Sequence, residues 1–153
     1  MFANTNISKN TLTIIMAGGK GERLQPITKN KPKPSVPFGG KYKIIDFVLS
    51  NVFNSGLRKV YILTQYKAFS LNKHIKESWA KWTGLNEFFD TVSPETKSDA
   101  EQWFLGTADA IYQNIELINI SNTDYVAIFG GDHIYKMDIS QMIIYHRMNK
   151  ADI

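Results

Sequence analysis

The chain contains no cysteine. Disulfides and cysteine-ligated zinc are therefore excluded, and a reducing compartment, the cytoplasm, is the expected location. No apolar run approaches the ~20 residues of a membrane span, so no membrane partner is expected. The first ten residues, MFANTNISKN, are polar and lack the apolar stretch of a secretory signal; residues 1–10 read as a flexible N-terminus. His74, His133 and His146 show no metal-ligand spacing and read as structural. No Ser/His/Asp arrangement suggests nucleophilic hydrolysis, and there is neither an internal repeat nor a low-complexity tract. What remains is a chain of 153 residues, 43% hydrophobic, long enough to bury one core.

The most informative segment follows a short apolar run, Leu12 to Met16. There Ala17-Gly18-Gly19-Lys20-Gly21-Glu22-Arg23-Leu24 places three glycines beside a lysine and an arginine. Glycine reaches positive φ and lets backbone N–H groups approach a bulky anion, while Lys and Arg supply charge where phosphate oxygens would lie. Two better-known phosphate loops are excluded. The dinucleotide fingerprint needs glycine at position 24, which is Leu24, and the Walker pattern needs Ser or Thr after Gly19-Lys20, where Gly21 stands. Taken alone, the turn reads first as a strand exit with a solvated basic pair. Residues further along change that reading.

Net charge is +4, and its distribution matters more than its sum. From Lys20 to Lys43 there are seven basic residues against Glu22 alone, which leaves the rest of the chain at −2. A general nucleic-acid binder would spread its cations over a face, often with aromatics for stacking. Charge gathered on one Gly- and Pro-rich loop suits a compact polyanion, such as a triphosphate with a sugar phosphate, and no nucleic-acid partner is expected. Arg23 offers a planar fork for phosphate; its bland alternative is a salt bridge with Glu22 or Asp46. Lys33, between Pro32 and Pro34, has a stiffened backbone and a restricted reach.

The pattern alternates strand and helix. Strands are predicted at 12–16, 60–64 and 125–129. Helices are predicted at 44–54 with Gly56 as its stop, at 67–82, from 106–107 to about 118 with Thr107 as cap, and at 138–149 with Asp138 or Ser140 as cap. The stretches 17–43 and 83–105 read as loops, and 151–153 as the start of another strand. Such alternation predicts an α/β fold with a parallel sheet covered on both faces, with ligands beyond the carboxyl ends of the strands. Asp132, after Val126-Ala127-Ile128-Phe129 and two glycines, then sits at a strand exit, where a carboxylate suits Mg²⁺ completed by phosphate oxygens and water. If the first and third strands are neighbours, the basic loop and Asp132 face one crevice.

These residues carry a resemblance. The glycine loop is similar to the signature loop of sugar-nucleotide pyrophosphorylases. The segments Lys33-Pro34-Ser35-Val36-Pro37-Phe38-Gly39-Gly40-Lys41-Tyr42-Lys43-Ile44-Ile45-Asp46-Phe47, Leu63-Thr64-Gln65-Tyr66, Trp103-Phe104-Leu105-Gly106-Thr107-Ala108-Asp109-Ala110 and Gly130-Gly131-Asp132-His133-Ile134-Tyr135-Lys136-Met137-Asp138 narrow it to the bacterial glucose-1-phosphate adenylyltransferase family. Residues 11–153 resemble the N-terminal part of that family's catalytic domain. The resemblance implies a Rossmann-like nucleotidyltransferase three-layer sandwich with a mostly parallel sheet, truncated: the rest of the catalytic domain and the C-terminal β-helix would lie beyond residue 153. It implies transfer of the adenylyl group of ATP to glucose 1-phosphate with Mg²⁺, toward glycogen, in an allosteric enzyme whose full-length form is a homotetramer.

By position, the resemblance makes Arg23, Lys33 and Asp132 catalytic, with Asp132 also holding the metal. Gly18, Gly19, Gly21, Phe104, Gly106 and Thr107 would bind substrates, and Gln65 and Trp103 would couple regulatory and substrate sites. Relatives mostly carry Tyr at the position of Phe104, and a lysine associated with a sugar-bisphosphate activator falls at Asn30. Three alternatives remain at this point: an inactive nucleotide-binding fragment or regulatory subunit, a sibling pyrophosphorylase with another nucleotide or sugar, and a nucleic-acid module. The chain by itself is expected to be inactive.

Overall fold

The computed structural model describes residues 9–94 and 104–153. The central sheet has four parallel strands: β1 (Thr11–Met16), β4 (Lys59–Leu63), β5 (Phe88–Val92) and β6 (Tyr125–Gly130). A small antiparallel hairpin, β2 (Pro37–Phe38) and β3 (Tyr42–Lys43), stands apart. The helices are α1 (Ile44–Asn54), α2 (Phe69–Ser78), α3 (Thr107–Gln113), α4 (Ile115–Ile120) and α5 (Ile139–Met148). The sheet order is β5-β4-β1-β6. The chain thus winds outward from β1 through β4 to β5, then crosses back to place β6 on the other side of β1. In open α/β sheets that reversal opens a crevice beyond the strand ends.

Period-two alternation divides β1 between two cores. Ile15 joins Val48, Leu49 and Val52 of α1, Leu71 and Ile75 of α2, and Ile139 and Ile143 of α5. Leu12 and Ile14 face the other way, with Leu63 and Ala110, and with Phe104, Ile111 and Ile118 against them. Helices on both faces give the three layers expected of this α/β class. Among the described residues no helix is long and apolar enough to cross a membrane.

Helix α1 has apolar residues at 44, 45, 48, 49 and 52, all buried, which is one face of a 3.6-residue repeat. Asp46 in its first turn accepts the Lys43 backbone N–H at 2.8 Å. At its far end Gly56 takes φ 79, and its neighbour Leu57 donates back to the Val52 carbonyl, as the expected stop requires.

Several boundaries differ from expectation. The stretch read as a loop at 83–105 contains β5; a single exposed charge, Asp90, interrupts an otherwise aromatic and β-branched run, and pairing with β4 supplies what the pattern hid. The loop at 17–43 contains the hairpin, turned by Gly39 and Gly40 at positive φ. The helix expected at 67–82 begins at Phe69, because Lys67 has φ 42, and gives way to a 3-10 turn at Ala80–Trp82. The helix expected from 106 to 118 breaks at Asn114, whose side-chain amide donates to the Ala110 carbonyl. Its cap is Gly106, in extended backbone, and Thr107 is the first helical residue rather than the cap. Residues 151–153 form no strand, since a strand exists only by pairing and no described residue pairs with them.

The cap of α5 is as read: Asp138 accepts from the Ser140 N–H at 3.0 Å and from the Ser140 hydroxyl at 2.6 Å. The Ser140 hydroxyl bond holds the Asp138 carboxyl below its ordinary value, against a slight opposing effect of burial. The carboxylate is then the stabilising form, so the cap contributes fully above the unfolded carboxyl's pKa and fades as pH falls through the lowered folded value. Asp138→Ala is expected to cost about 1 kcal/mol in urea unfolding, and that loss should shrink in acid.

Candidate active site at the exits of β1 and β6

Strands β1 and β6 run side by side in register from Thr11↔Tyr125 to Met16↔Gly130. Their exits are therefore adjacent, and each leads into a glycine-bearing turn. The Gly131 N–H donates to the Met16 carbonyl at 2.8 Å, and the Ala17 N–H to the Leu63 carbonyl at 2.8 Å. A Cβ on Gly131 would stand 3.0 Å from Ile45 Cδ1 and 3.1 Å from the Met16 oxygen, so only glycine lets the two exits close on each other.

The glycine loop lies over this junction. Among the described residues, the amides of Gly18, Gly19, Lys20 and Gly21 have no protein acceptor. Gly19 has open space where a side chain would project. Gly18 lies under Gln65, whose Cβ would be 3.1 Å from a Cβ there. Gly21 has φ 67, and a Cβ on it would meet Lys33 Cβ at 2.9 Å and Thr28 Cγ2 at 3.0 Å. The Thr28 hydroxyl donates to the Gly21 carbonyl at 2.7 Å. The loop is thus pinned from below by Thr28 and Lys33. Thr28 is a residue that the sequence pattern did not single out; its only signal was its place in the basic loop.

Lys33 opens a 3-10 turn at Lys33–Ser35, between buried Pro32 and Pro34. Its ammonium donates to Asp132 Oδ2 at 2.8 Å. The next residue but one, Ser35, lies 3.2 Å from the Ser70 hydroxyl at the start of α2. That helix is tied down in turn by His74 Nε2, 2.7 Å from Asp46 Oδ1, with the Trp79 indole N–H donating to the same oxygen at 2.8 Å. His74 is structural, as read. Asp46 is already occupied, so it is not the partner of Arg23. Arg23 is exposed and makes no ion pair among the described residues.

Asp132 is half-buried at the end of β6. Burial alone would raise its pKa; the hydrogen bond and charge of Lys33, with His133 nearby, outweigh that and hold it below the ordinary value. It is therefore a carboxylate at neutral pH. His133 Nε2 lies 3.7 Å from its other oxygen, Oδ1. Among the described residues no group of three or more His, Asp or Glu could enclose a metal. A single accessible carboxylate fits Mg²⁺ that takes its other ligands from phosphate and water.

The remaining candidates are more dispersed. Gly106 and Thr107 are exposed at the start of α3, with open space around Gly106, and no hydrogen bond joins them to the glycine loop or Asp132. Phe104 is half-buried and packs on the core formed by Leu12, Ile14, Leu63 and Ala110. Beyond Gln65, the Tyr66 hydroxyl and the Lys67 ammonium donate to the Lys29 carbonyl at 3.3 and 2.9 Å, so this short segment touches both the glycine loop and the basic loop. Trp103 lies outside the described residues.

Residues 12–153 match the nucleotidyl transferase family. Over all 153 residues the chain is 66% identical to a protein named glucose-1-phosphate adenylyltransferase from Trichlorobacter lovleyi. It is also 66% identical over 153 residues to the one so named from Geobacter metallireducens. Over 145 residues it is 53% identical to that of Koribacter versatilis. The chain spans 37% of the first two relatives and 34% of the third.

Proposed function

This chain belongs to the nucleotidyl transferase family, and on that premise we propose that it carries the nucleotide half of a site that transfers the adenylyl group of ATP to glucose 1-phosphate. The observation behind this reading is the Lys33–Asp132 pair beneath a glycine loop with free amides, at the reversal point of the sheet. The names of the relatives supply the sugar and the nucleotide.

In this reading a phosphate oxygen of glucose 1-phosphate attacks the α-phosphorus of ATP. The bond from that phosphorus to the oxygen bridging to the β-phosphorus breaks, and pyrophosphate leaves with the electron pair; ADP-glucose is the other product. The amides around Gly18, Gly19 and Gly21 receive the triphosphate, as unpaired N–H groups in a turn do for anions. Arg23 steadies the charge that builds on the leaving pyrophosphate, and Lys33 meets phosphate near the reacting centre. Asp132 would hold Mg²⁺, which supplies neutralising charge between the phosphates when bound. Gly106 and Thr107 border the nucleotide, and Phe104 lies toward the sugar phosphate. Gln65 and Trp103 couple this site to an allosteric one, in a full-length cytoplasmic homotetramer that serves glycogen synthesis.

Calorimetric titration with ATP and Mg²⁺ tests the placement of the triphosphate. Arg23→Ala should weaken binding by ~1.5–3 kcal/mol, roughly ten- to a hundredfold in Kd. Lys150→Ala, at an exposed helix end, should leave affinity unchanged. Equal affinities in the two variants would put the triphosphate elsewhere.

A further inference from the structure

Asp132 already has a cation on it. Lys33 Nζ stands 2.8 Å from Oδ2, and His133 Nε2 stands 3.7 Å from Oδ1, so each carboxylate oxygen faces a nitrogen. A divalent cation arriving alone must either share Asp132 with the ammonium or expel it. Sharing sets two positive groups against each other across a carboxylate that carries a single charge. Expulsion leaves the Lys33 ammonium, about a third exposed, without its only ion-pair partner among the described residues. A polyphosphate removes the conflict: it gives the ammonium a new anionic partner over the glycine loop and frees Oδ2.

We propose that Lys33 is a specificity-determining residue that makes Asp132 accept a divalent cation only in company with a polyphosphate. The inference rests on the reading above that Asp132 is the carboxylate that meets the metal. It adds that the free cation is rejected, so that metal and nucleotide enter together, and that rejection comes from the charge of Lys33.

The probe is Mn²⁺, followed by the electron paramagnetic resonance signal of the free ion, without and with ATP and with no sugar phosphate. The wild-type protein should bind Mn²⁺ alone at least tenfold more weakly than Lys33→Gln. Lys33→Arg, which keeps the charge, should behave as wild type. Asp132→Asn in the Lys33→Gln background should abolish the gain. Equal binding of Mn²⁺ alone by wild type and Lys33→Gln would overturn the proposal, as would a gain in Lys33→Arg equal to that in Lys33→Gln. The two readings fail in different ways. If Asp132→Asn weakens Mn²⁺ binding in the presence of ATP while Lys33→Gln changes nothing in its absence, only the gating by Lys33 is wrong. If Asp132→Asn changes neither, Asp132 is not the metal carboxylate and both fall.

Discussion

Gly21→Val is expected to destabilise the protein by about 3 kcal/mol and to abolish measurable ATP binding at micromolar nucleotide. Two independent costs add. A β-branched residue at φ 67 is held in the left-handed region, a strain of ~1–2 kcal/mol. Its Cβ would also stand 2.9 Å from Lys33 Cβ, closer than real contacts allow, and a tight 3.0 Å from Thr28 Cγ2, and overpacking typically costs ~1–3 kcal/mol. The atom that must give way is the stem of Lys33, so the damage passes directly to the pair with Asp132. Gly19→Ala is the informative contrast. Its Cβ meets nothing within 4 Å, and stability should stay within ~0.5 kcal/mol. If the loop is where phosphates lie, the new methyl intrudes on the ligand instead, and ATP binding should weaken with the fold intact. Urea unfolding and calorimetry on both variants separate the two effects. A Gly19→Ala protein with unaltered ATP affinity would mean that the open side of the loop faces no ligand.

The parts of this fold that were legible in the sequence are those whose pattern is set locally. The run Leu12 to Met16 reads as a strand because it is buried on both sides, and α1 reads as a helix because its buried residues recur at helical spacing. Asp138 announced α5 through a cap that needs only its own neighbours. What was illegible depends on partners far along the chain. Strand β5 is held by pairing with β4, and the break at Asn114 cannot be seen in a continuous apolar pattern. The site divides in the same way. The glycines, the basic loop and Asp132 stood out as candidates from residue type. Their convergence was conditional on β1 lying beside β6, and the structure places them so. The direct bond from Lys33 to Asp132 spans 99 residues of sequence, and no spacing rule reports such a contact. The same holds for Gln65 over Gly18, which comes from β4 being the other neighbour of β1.

A polypeptide of these 153 residues alone is expected to release no pyrophosphate from ATP and glucose 1-phosphate above background. The expected reason is positional rather than chemical. In-line transfer needs both reactants held in line, and effective molarity collapses when one is loose. The described residues bring together one glycine loop and one Lys33–Asp132 pair, and no cluster of three or more acidic or histidine groups that could hold a metal. The chain spans 37% of relatives that are named for the whole reaction. The outer face of the sheet points the same way: among the described residues β6 is an edge strand, and its Val126 and Ile128 remain 37% and 46% exposed on the face where β1 and β4 are covered by α3. An unpaired apolar edge is prone to associate, so the polypeptide should also self-associate at assay concentrations. The measurement is coupled pyrophosphate release with Mg²⁺, on this polypeptide and on one extended by the residues that the relatives carry after the matched segment. Turnover that depends on glucose 1-phosphate should appear only in the extended protein. Robust sugar-phosphate-dependent release by the 153 residues alone would show that the cradle around Lys33 and Asp132 aligns both substrates unaided.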